Sequence, residues 1–371
     1  MKQPLMIGTF ITFIFGGLGL NLLTPDRQLS DTENRPLQQL PIPTTENIFS
    51  GEFMSDFETY VTDQFFAKDW WVGIKSDAEL ALQKGENNDV YFGKDGYLLE
   101  AFTKVDEQFD KNLTYLNSVA EKLPQAHLTA LFIPTAVEVH QDKLPLYAPK
   151  VDQAALLSQI EGSLSFDVVN PLQTLNEHKE ESIFYKTDHH WTTLGAFYTY
   201  QQLMNQWGLE AYTNYNTEVV SKDFYGTYYS KANQKRLPAD SITLYHPKDA
   251  VTFTTEFNGK TLDGLYDLSY LDKKDKYSMF LGGNQPVTVV RSGIKNGKKL
   301  AIFKDSYAHS LVPFLAMNFE EIHLIDLRHF NSNPYAYLEA EGLNEILFLY
   351  NLSSFAQDNT LVKLKAFNPQ G

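Results

Sequence analysis

Apolar runs of four to six residues, most of them fenced by charged or polar positions at both ends, recur at Leu128–Ile133, Phe166–Val169, Leu300–Phe303, Ile322–Ile325 and Ile346–Leu349. Such runs lack the polar alternation of a half-buried strand, and stretches with helical spacing separate them. The pattern predicts strands covered on both faces, hence an α/β fold with a mostly parallel sheet. Between about Tyr212 and Val290 the texture changes to tyrosine, threonine and turn residues, which reads as a β-rich or irregular insertion in the same domain. Upstream, Phe53, Phe57, Tyr60, Val61 and Phe65 share one side of a helical wheel. They predict an amphipathic helix packed on its own domain. Tyr91–Leu99, YFGKDGYLL, sets two short apolar runs around Gly93 and Gly96 and predicts a turn between strands.

From Pro4 to Leu23 the chain carries no charge over 20 residues. At about 1.5 Å per residue, a helix of that length spans roughly the 30 Å hydrocarbon layer. Lys2 precedes it and no small-x-small cleavage site follows. The reading is an uncleaved, single-pass anchor in the cell membrane, amino terminus in the cytoplasm and body outside. A cleaved signal peptide and a buried core helix compete with it. Proline-punctuated polar sequence follows through Asn47. The expected organisation is an anchor over residues 1–24, a linker over 25–50 and one large domain over 51–371 that includes the insertion at about 212–290.

Composition narrows the function classes. The chain is 43% hydrophobic, with 26 Phe, 21 Tyr and 4 Trp, which marks a globular protein. A formal charge of −15 without basic runs argues against nucleic acid, since phosphate binding needs basic patches. An acidic, aromatic-rich surface suits neutral ligands such as sugars. The absence of cysteine removes disulfides, thiol catalysis, cysteine metal sites and a lipidated-cysteine anchor.

Two short stretches carry chemistry. TDHHWT at Thr187–Thr192 places an acid, two histidines and a tryptophan in succession, in a chain with only nine histidines. Asp-x-His on an extended segment puts Asp188 and His190 on one side, with His189 pointing away. The carboxylate can then hold one tautomer of His190 and support proton transfer. Lys304-Asp305-Ser306 follows the apolar run Leu300–Phe303, and Tyr307–Asn318 has helical character. Ser306 therefore sits where a strand meets a helix, at the carboxyl end of the sheet and beside free helix N–H groups that can stabilise an oxyanion. An N-cap role for Asp305 or Ser306 is the plainer alternative. Together, a nucleophile, a base and an orienting acid supply what each lacks alone. Trp191 can floor a sugar pocket or pack in the core. Arg328 follows the run Ile322–Ile325 and can reach an acetyl or sugar oxygen or form a salt bridge, and Tyr307 is a further substrate-binding candidate beside Ser306. Metal binding is set aside, because adjacent residues 189 and 190 converge poorly on one ion and no His-x-x-x-His accompanies them. No cofactor is expected.

TDHHWT and KDSYA, with ENRPL, FETYVTDQF and FGKDGYL ahead of them, resemble the DHHW family of exported bacterial proteins. That family is similar to the alginate O-acetylation proteins, whose domain is SGNH-hydrolase-like. The resemblance covers nearly all of the chain after the anchor. It implies a three-layer SGNH-hydrolase-like α/β domain, with Ser306 as nucleophile, His190 as base and Asp188 as orienting acid. It also implies a cell-surface polysaccharide O-acetyltransferase with an acetyl-serine intermediate, a polysaccharide substrate and a membrane-bound O-acyltransferase as acetyl supplier. An acetylesterase on the same polysaccharide, or a non-catalytic polysaccharide-binding scaffold, is the alternative. Lys304-Asp305-Ser306 departs from the Gly-Asp-Ser of ordinary SGNH enzymes.

Overall fold

The computed structural model describes residues 2–30, 35–82, 84–234 and 236–369. Glu33 and Asn34 of the ENRPL motif lie outside them. The chain opens on helix α1 (Lys2–Leu23), whose apolar window Met6–Leu23 is long enough to cross a membrane and is nowhere buried. The segment read as a linker has local order. Leu29–Ser30 pairs with Arg35–Pro36, and a short helix at Thr45–Ser50 is closed by a reciprocal Thr44–Asn47 capping box. A two-residue strand pair and a side-chain cap make this order, and elements so short leave no hydrophobic period to read.

The amphipathic helix exists as α2 (Glu52–Asp63), followed by α3 (Lys68–Ala81). Its expected packing on the domain does not. Met54, Phe57, Val61 and Phe65 are exposed, as are Trp70, Trp71 and Ile74 beyond them. Polar contacts hold the segment instead. The buried Asp63 accepts from both Arg35 terminal nitrogens, Lys68 and the Gln38 backbone, and Arg35 above all holds its carboxyl well below the ordinary carboxylate range.

The body is built on eight strands: β1 (His127–Ile133), β2 (Asp167–Val169), β3 (Phe253–Phe257), β4 (Lys260–Asp263), β5 (Val287–Ser292), β6 (Lys299–Lys304), β7 (Glu321–Ile325) and β8 (Glu345–Asn351). Their spatial order is β4-β3-β5-β7-β6-β8-β1-β2. Strands β7, β6, β8, β1 and β2 run parallel, while β5, β3 and β4 extend one edge antiparallel. The segment 212–290 is β-rich but is not one unit. Tyr215–Phe224 and Asp240–Pro247 form a separate two-stranded ribbon, whereas β3, β4 and β5 belong to the central sheet. The turn at Gly93–Tyr97 joins the antiparallel strands Val90–Phe92 and Leu98–Glu100, as its sequence predicts.

Helices cover both faces. Three are α4 (Glu107–Lys122), α5 (Thr193–Gln206) and α6 (Ala308–Leu315). Leu131, Ile302, Leu324 and Leu347 face one way, into a core with Tyr200 and Leu203 of α5 and Leu311 and Leu315 of α6. Ala130, Phe132, Phe303 and Phe348 face the other, against Phe109, Leu113 and Leu116 of α4 and Leu157 of the helix Gln153–Ser163. Burial on both sides is why these strands read as predominantly apolar runs. Helix α6 stops at Leu315, short of the expected Asn318. Tight turns from Met317 to Phe314 and from Asn318 to Leu315 close it and lead the chain into β7.

Candidate active site

Strand β6 brings Lys304, Asp305 and Ser306 to the carboxyl edge of the sheet, between β7 and β8. This is where open α/β sheets leave a crevice. The turn is fixed from inside. The Asp305 carboxylate accepts from the Tyr307 N–H at 2.9 Å and from the Asn351 N–H and side-chain amide, both at 2.8 Å. Burial raises the Asp305 pKa, while these donors oppose that rise. Lys304 lies in the interior, its ammonium against Asp326, His309 Nε2 and Asn284 Oδ1 at 3.2, 2.7 and 3.1 Å. Burial lowers its pKa to about 8 and holds His309 well below the usual imidazole range.

The histidine stretch is the tip of a narrow loop rather than an extended strand. The Tyr185 N–H bonds the His190 carbonyl, the Thr192 N–H bonds the Ile183 carbonyl, and Phe184 bridges Trp191. Asp240 grips the loop through the Lys186 and Thr187 N–H groups and the Thr187 hydroxyl. Asp188 Oδ1 accepts from the His190 N–H at 3.0 Å and from His190 Nδ1 at 2.5 Å. An Asx-type turn thus does what alternation along a strand was expected to do.

His190 Nε2 lies 2.7 Å from Ser306 Oγ, so Asp188, His190 and Ser306 form one unbroken relay. Asp188 Oδ2 accepts from the Thr227 N–H at 2.7 Å. Burial works against the charge on Asp188, but the two neighbouring imidazoles hold its carboxyl well below the usual range. Burial, then the charge on His189, pushes His190 down to about 4, leaving it a neutral base at ordinary pH. Tyr277 stacks on the His190 ring at 3.7 Å between centroids and 10° between planes, and its hydroxyl donates to the Ser306 carbonyl at 3.3 Å.

These groups line a cavity of about 250 Å³ whose walls include Asp188, His189, His190, Gly226, Tyr277, Asn284, Ser306 and Arg328. Of the three substrate-binding candidates, Arg328 alone lines it, with Nε and one terminal nitrogen on Asp326 at 2.8 and 2.6 Å. Trp191 and Tyr307 are fully buried. The Trp191 indole donates to the Tyr307 carbonyl at 3.1 Å, and the Tyr307 hydroxyl donates to the His189 carbonyl. Both pin the histidine loop to the serine turn and offer a ligand no surface. His189 does not point away. It lines the cavity with Nδ1 3.6 Å from Asp188 Oδ2. The helix donors expected for an oxyanion are already engaged, since the Tyr307, Ala308 and His309 N–H groups bond Asp305 Oδ1, the Asp305 carbonyl and the Ser306 carbonyl.

Gly226, Thr227, Tyr277 and Asn284 escaped the sequence reading, because they reach the site from the segment taken as an insertion. The glycine inside the aromatic run FYGTYY was the one available signal. Among the described residues, two clusters have donor atoms close enough for an ion: Asp188–His189–His190 and Glu321–His323–Glu341. In the first, both Asp188 oxygens and both His190 ring nitrogens already have partners, which leaves His189 as the one uncommitted donor. In the second, Glu321 already meets Arg291 at 3.1 Å and Lys299 at 3.3 Å, cations that oppose another.

With this geometry established, comparison with known proteins places the chain. No curated protein matches it. A DHHW family protein from Eubacterium siraeum DSM 15702 is similar in structure at 25% identity over 76% of this chain and 97% of that one, with a TM-score of 0.64. Bacillus cereus PatB1, described with a sulfonyl adduct, is 21% identical over 72% of this chain and 96% of its own, with a TM-score of 0.61. The O-acetyltransferase domain of Pseudomonas putida AlgJ is a more distant match, 15% identical over 76% and 96%, with a TM-score of 0.47. The sequence model of the DHHW protein family matches residues 87–325, and the chain belongs to that family.

Proposed function

We propose that the chain is a cell-surface polysaccharide O-acetyltransferase working through an acetyl ester on Ser306, with α1 as its membrane tether and a membrane-bound O-acyltransferase as acetyl supplier. The relay Asp188–His190–Ser306, closed at 2.5 and 2.7 Å inside a lined cavity, carries this reading. Ser306 Oγ attacks the acetyl carbon of a donor ester while its proton passes to His190 Nε2. The donor C–O bond breaks, and His190 returns the proton to the departing oxygen. A sugar hydroxyl then gives its proton to His190, attacks the acetyl-serine and leaves as the acetylated sugar, restoring the Ser306 hydroxyl. Asp188 balances the imidazolium in both halves.

The oxyanion falls to the Ser306 N–H and the Asn284 amide. Asn284 lines the cavity, and its Oδ1 is held by Lys304 and Arg328, so its NH2 is left to donate. Lys304 thereby supports the site from a position that is glycine in ordinary SGNH enzymes.

The test incubates full-length protein in detergent with a small acetyl ester and an oligosaccharide acceptor. Intact-mass analysis should show one acetyl group on Ser306 and its appearance on the sugar. Positioned proton transfer contributes about 10²–10⁴-fold, so Ser306→Ala and His190→Ala should lose most turnover while staying folded. Acetyl passing only to water would make the chain an acetylesterase. Failure to acylate Ser306 with every ester tried would make it a scaffold.

A further inference from the structure

His189 has no part in the relay above, yet it is built against it. Asp188 uses Oδ1 for the two His190 donors and Oδ2 for the Thr227 N–H, and His189 Nδ1 faces that second oxygen at 3.6 Å. Nδ1 is buried and has no hydrogen-bond partner, so the Asp188 carboxylate acts on it through charge across that gap. The ring lies across the His190 ring, 3.8 Å between centroids at 38°, with Tyr228 at 5.9 Å on another side. The His189 carbonyl takes the Tyr307 hydroxyl, which fixes the backbone beneath it. Its side chain is 30% exposed at the cavity, against 6% for His190.

We propose that His189 is a positioning residue of the triad: an imidazolium on the Oδ2 side of Asp188 that keeps His190 uncharged and ready to accept the Ser306 proton in mildly acidic surroundings. The inference rests on the acyl-transfer reading of the site. Two imidazoles in ring contact, sharing one carboxylate, resist double protonation and titrate as a unit. The partly solvated ring keeps the proton and the buried ring does without. The groups facing the pair agree. Burial opposes charge on His189, but Asp188, Glu100 and Asp305 outweigh it and raise its pKa. On His190, burial and the His189 charge act together, with Arg328 adding to them against Asp188. His309, the other nearby imidazole, stays neutral beside Lys304, and Tyr228, Tyr277 and Tyr307 are all held protonated by burial.

The sign of the consequence is fixed. Removing the His189 charge lets His190 bind a resting proton more readily, so its titration moves to higher pH. A unit charge at this distance shifts a neighbour by about one to three units, and the partly wet cavity favours the low end. The experiment follows imidazole resonances of ¹⁵N-histidine-labelled full-length protein in detergent, with His190 assigned by its loss in His190→Gln. In His189→Gln, His190 should titrate about one unit higher than in wild type, and the acid limb of ester hydrolysis should move with it. In His189→Lys, which keeps the charge, both should stay near the wild-type position. An unshifted His190 in folded His189→Gln, or activity lost evenly at all pH values, overturns the proposal, because a merely structural ring produces that pattern. The resonance reads His190 whether or not esters turn over. A shifted His190 in a chain that acylates nothing would therefore sink the acyl-transfer reading alone, and an unshifted one in an active chain would sink this inference alone.

Discussion

A single methyl group added at Gly226 tests whether the triad depends on the far side of Asp188. A Cβ there would lie 2.2 Å from both Cβ and Oδ2 of Asp188 and 2.5 Å from its Cγ, where ordinary contacts begin at 3.4 Å. The carboxylate would have to recede by about 1.2 Å, the gap between 2.2 and 3.4 Å. The backbone at Gly226, φ −85°, suits any residue, so the effect is steric and not conformational. The loop cannot easily swing away. Its Gly226 N–H is tied to Thr187 Oγ1 at 3.2 Å and its Thr227 N–H to Asp188 itself. Moving the carboxylate that far opens its 2.5 Å bond to His190. Misplacement by about 1 Å costs about 10²-fold, and loss of the correct histidine tautomer about 10⁴-fold. At about 1.36 kcal/mol per decade, Gly226→Ala should therefore lose about 2.7–5.4 kcal/mol of transition-state stabilisation. The assay is kcat/KM for a small acetyl ester, alongside the rate of Ser306 labelling by a sulfonyl fluoride. Overpacking should lower stability by about 1–3 kcal/mol, so circular dichroism melts must show a folded variant at the assay temperature. A folded Gly226→Ala within twofold of wild type would refute the claim that Asp188 orients His190.

Asp188→Asn should lower kcat by about 10⁴-fold with little change in melting temperature, because the amide favours the wrong His190 tautomer; a loss under tenfold counts against the triad. With His190 pushed down to about 4, the base is neutral above that pH and protonated below it. Ester hydrolysis should then hold its rate into mild acid and fall through an inflection near pH 4, whereas an inflection near 6.5 would show an unperturbed histidine. Lys304→Met should cost about 1–3 kcal/mol in urea unfolding, since Arg328 keeps Asp326 paired when the ammonium is removed, and should lower ester turnover as Asn284 loses its shorter anchor. Trp191→Phe should cost about 1–3 kcal/mol of stability, through the Tyr307 carbonyl left unpaired, and leave the KM for an oligosaccharide unchanged; a raised KM would return Trp191 to the substrate surface.

What the sequence determined by itself was whatever a local period or a rare cluster encodes. The five apolar runs marked the parallel core because a strand buried on both faces is predominantly apolar, and they coincide with β1, β2, β6, β7 and β8 to within two residues at either end. Asp188, His190 and Ser306 stood out because an acid beside histidines, and a serine where a strand gives way to a helix, are unusual neighbours. Other features depended on contacts far apart in the chain. Trp191 was open between a sugar pocket and the core, and Tyr307 was a substrate-binding candidate, until the turn after β6 met the histidine loop and buried both. Gly226, Tyr277 and Asn284 carry no period and no motif, and they matter only because connections within 212–290 reach the cavity beside Ser306. The face of α2 was legible as apolar, but no local rule said whether anything would cover it, and it is exposed. The direction of His189 was decided the same way. Alternation sent it outward, and an Asx-type turn closed by Asp188 brought its ring against His190, because a side-chain bond to backbone overrides the strand geometry that residue spacing assumes.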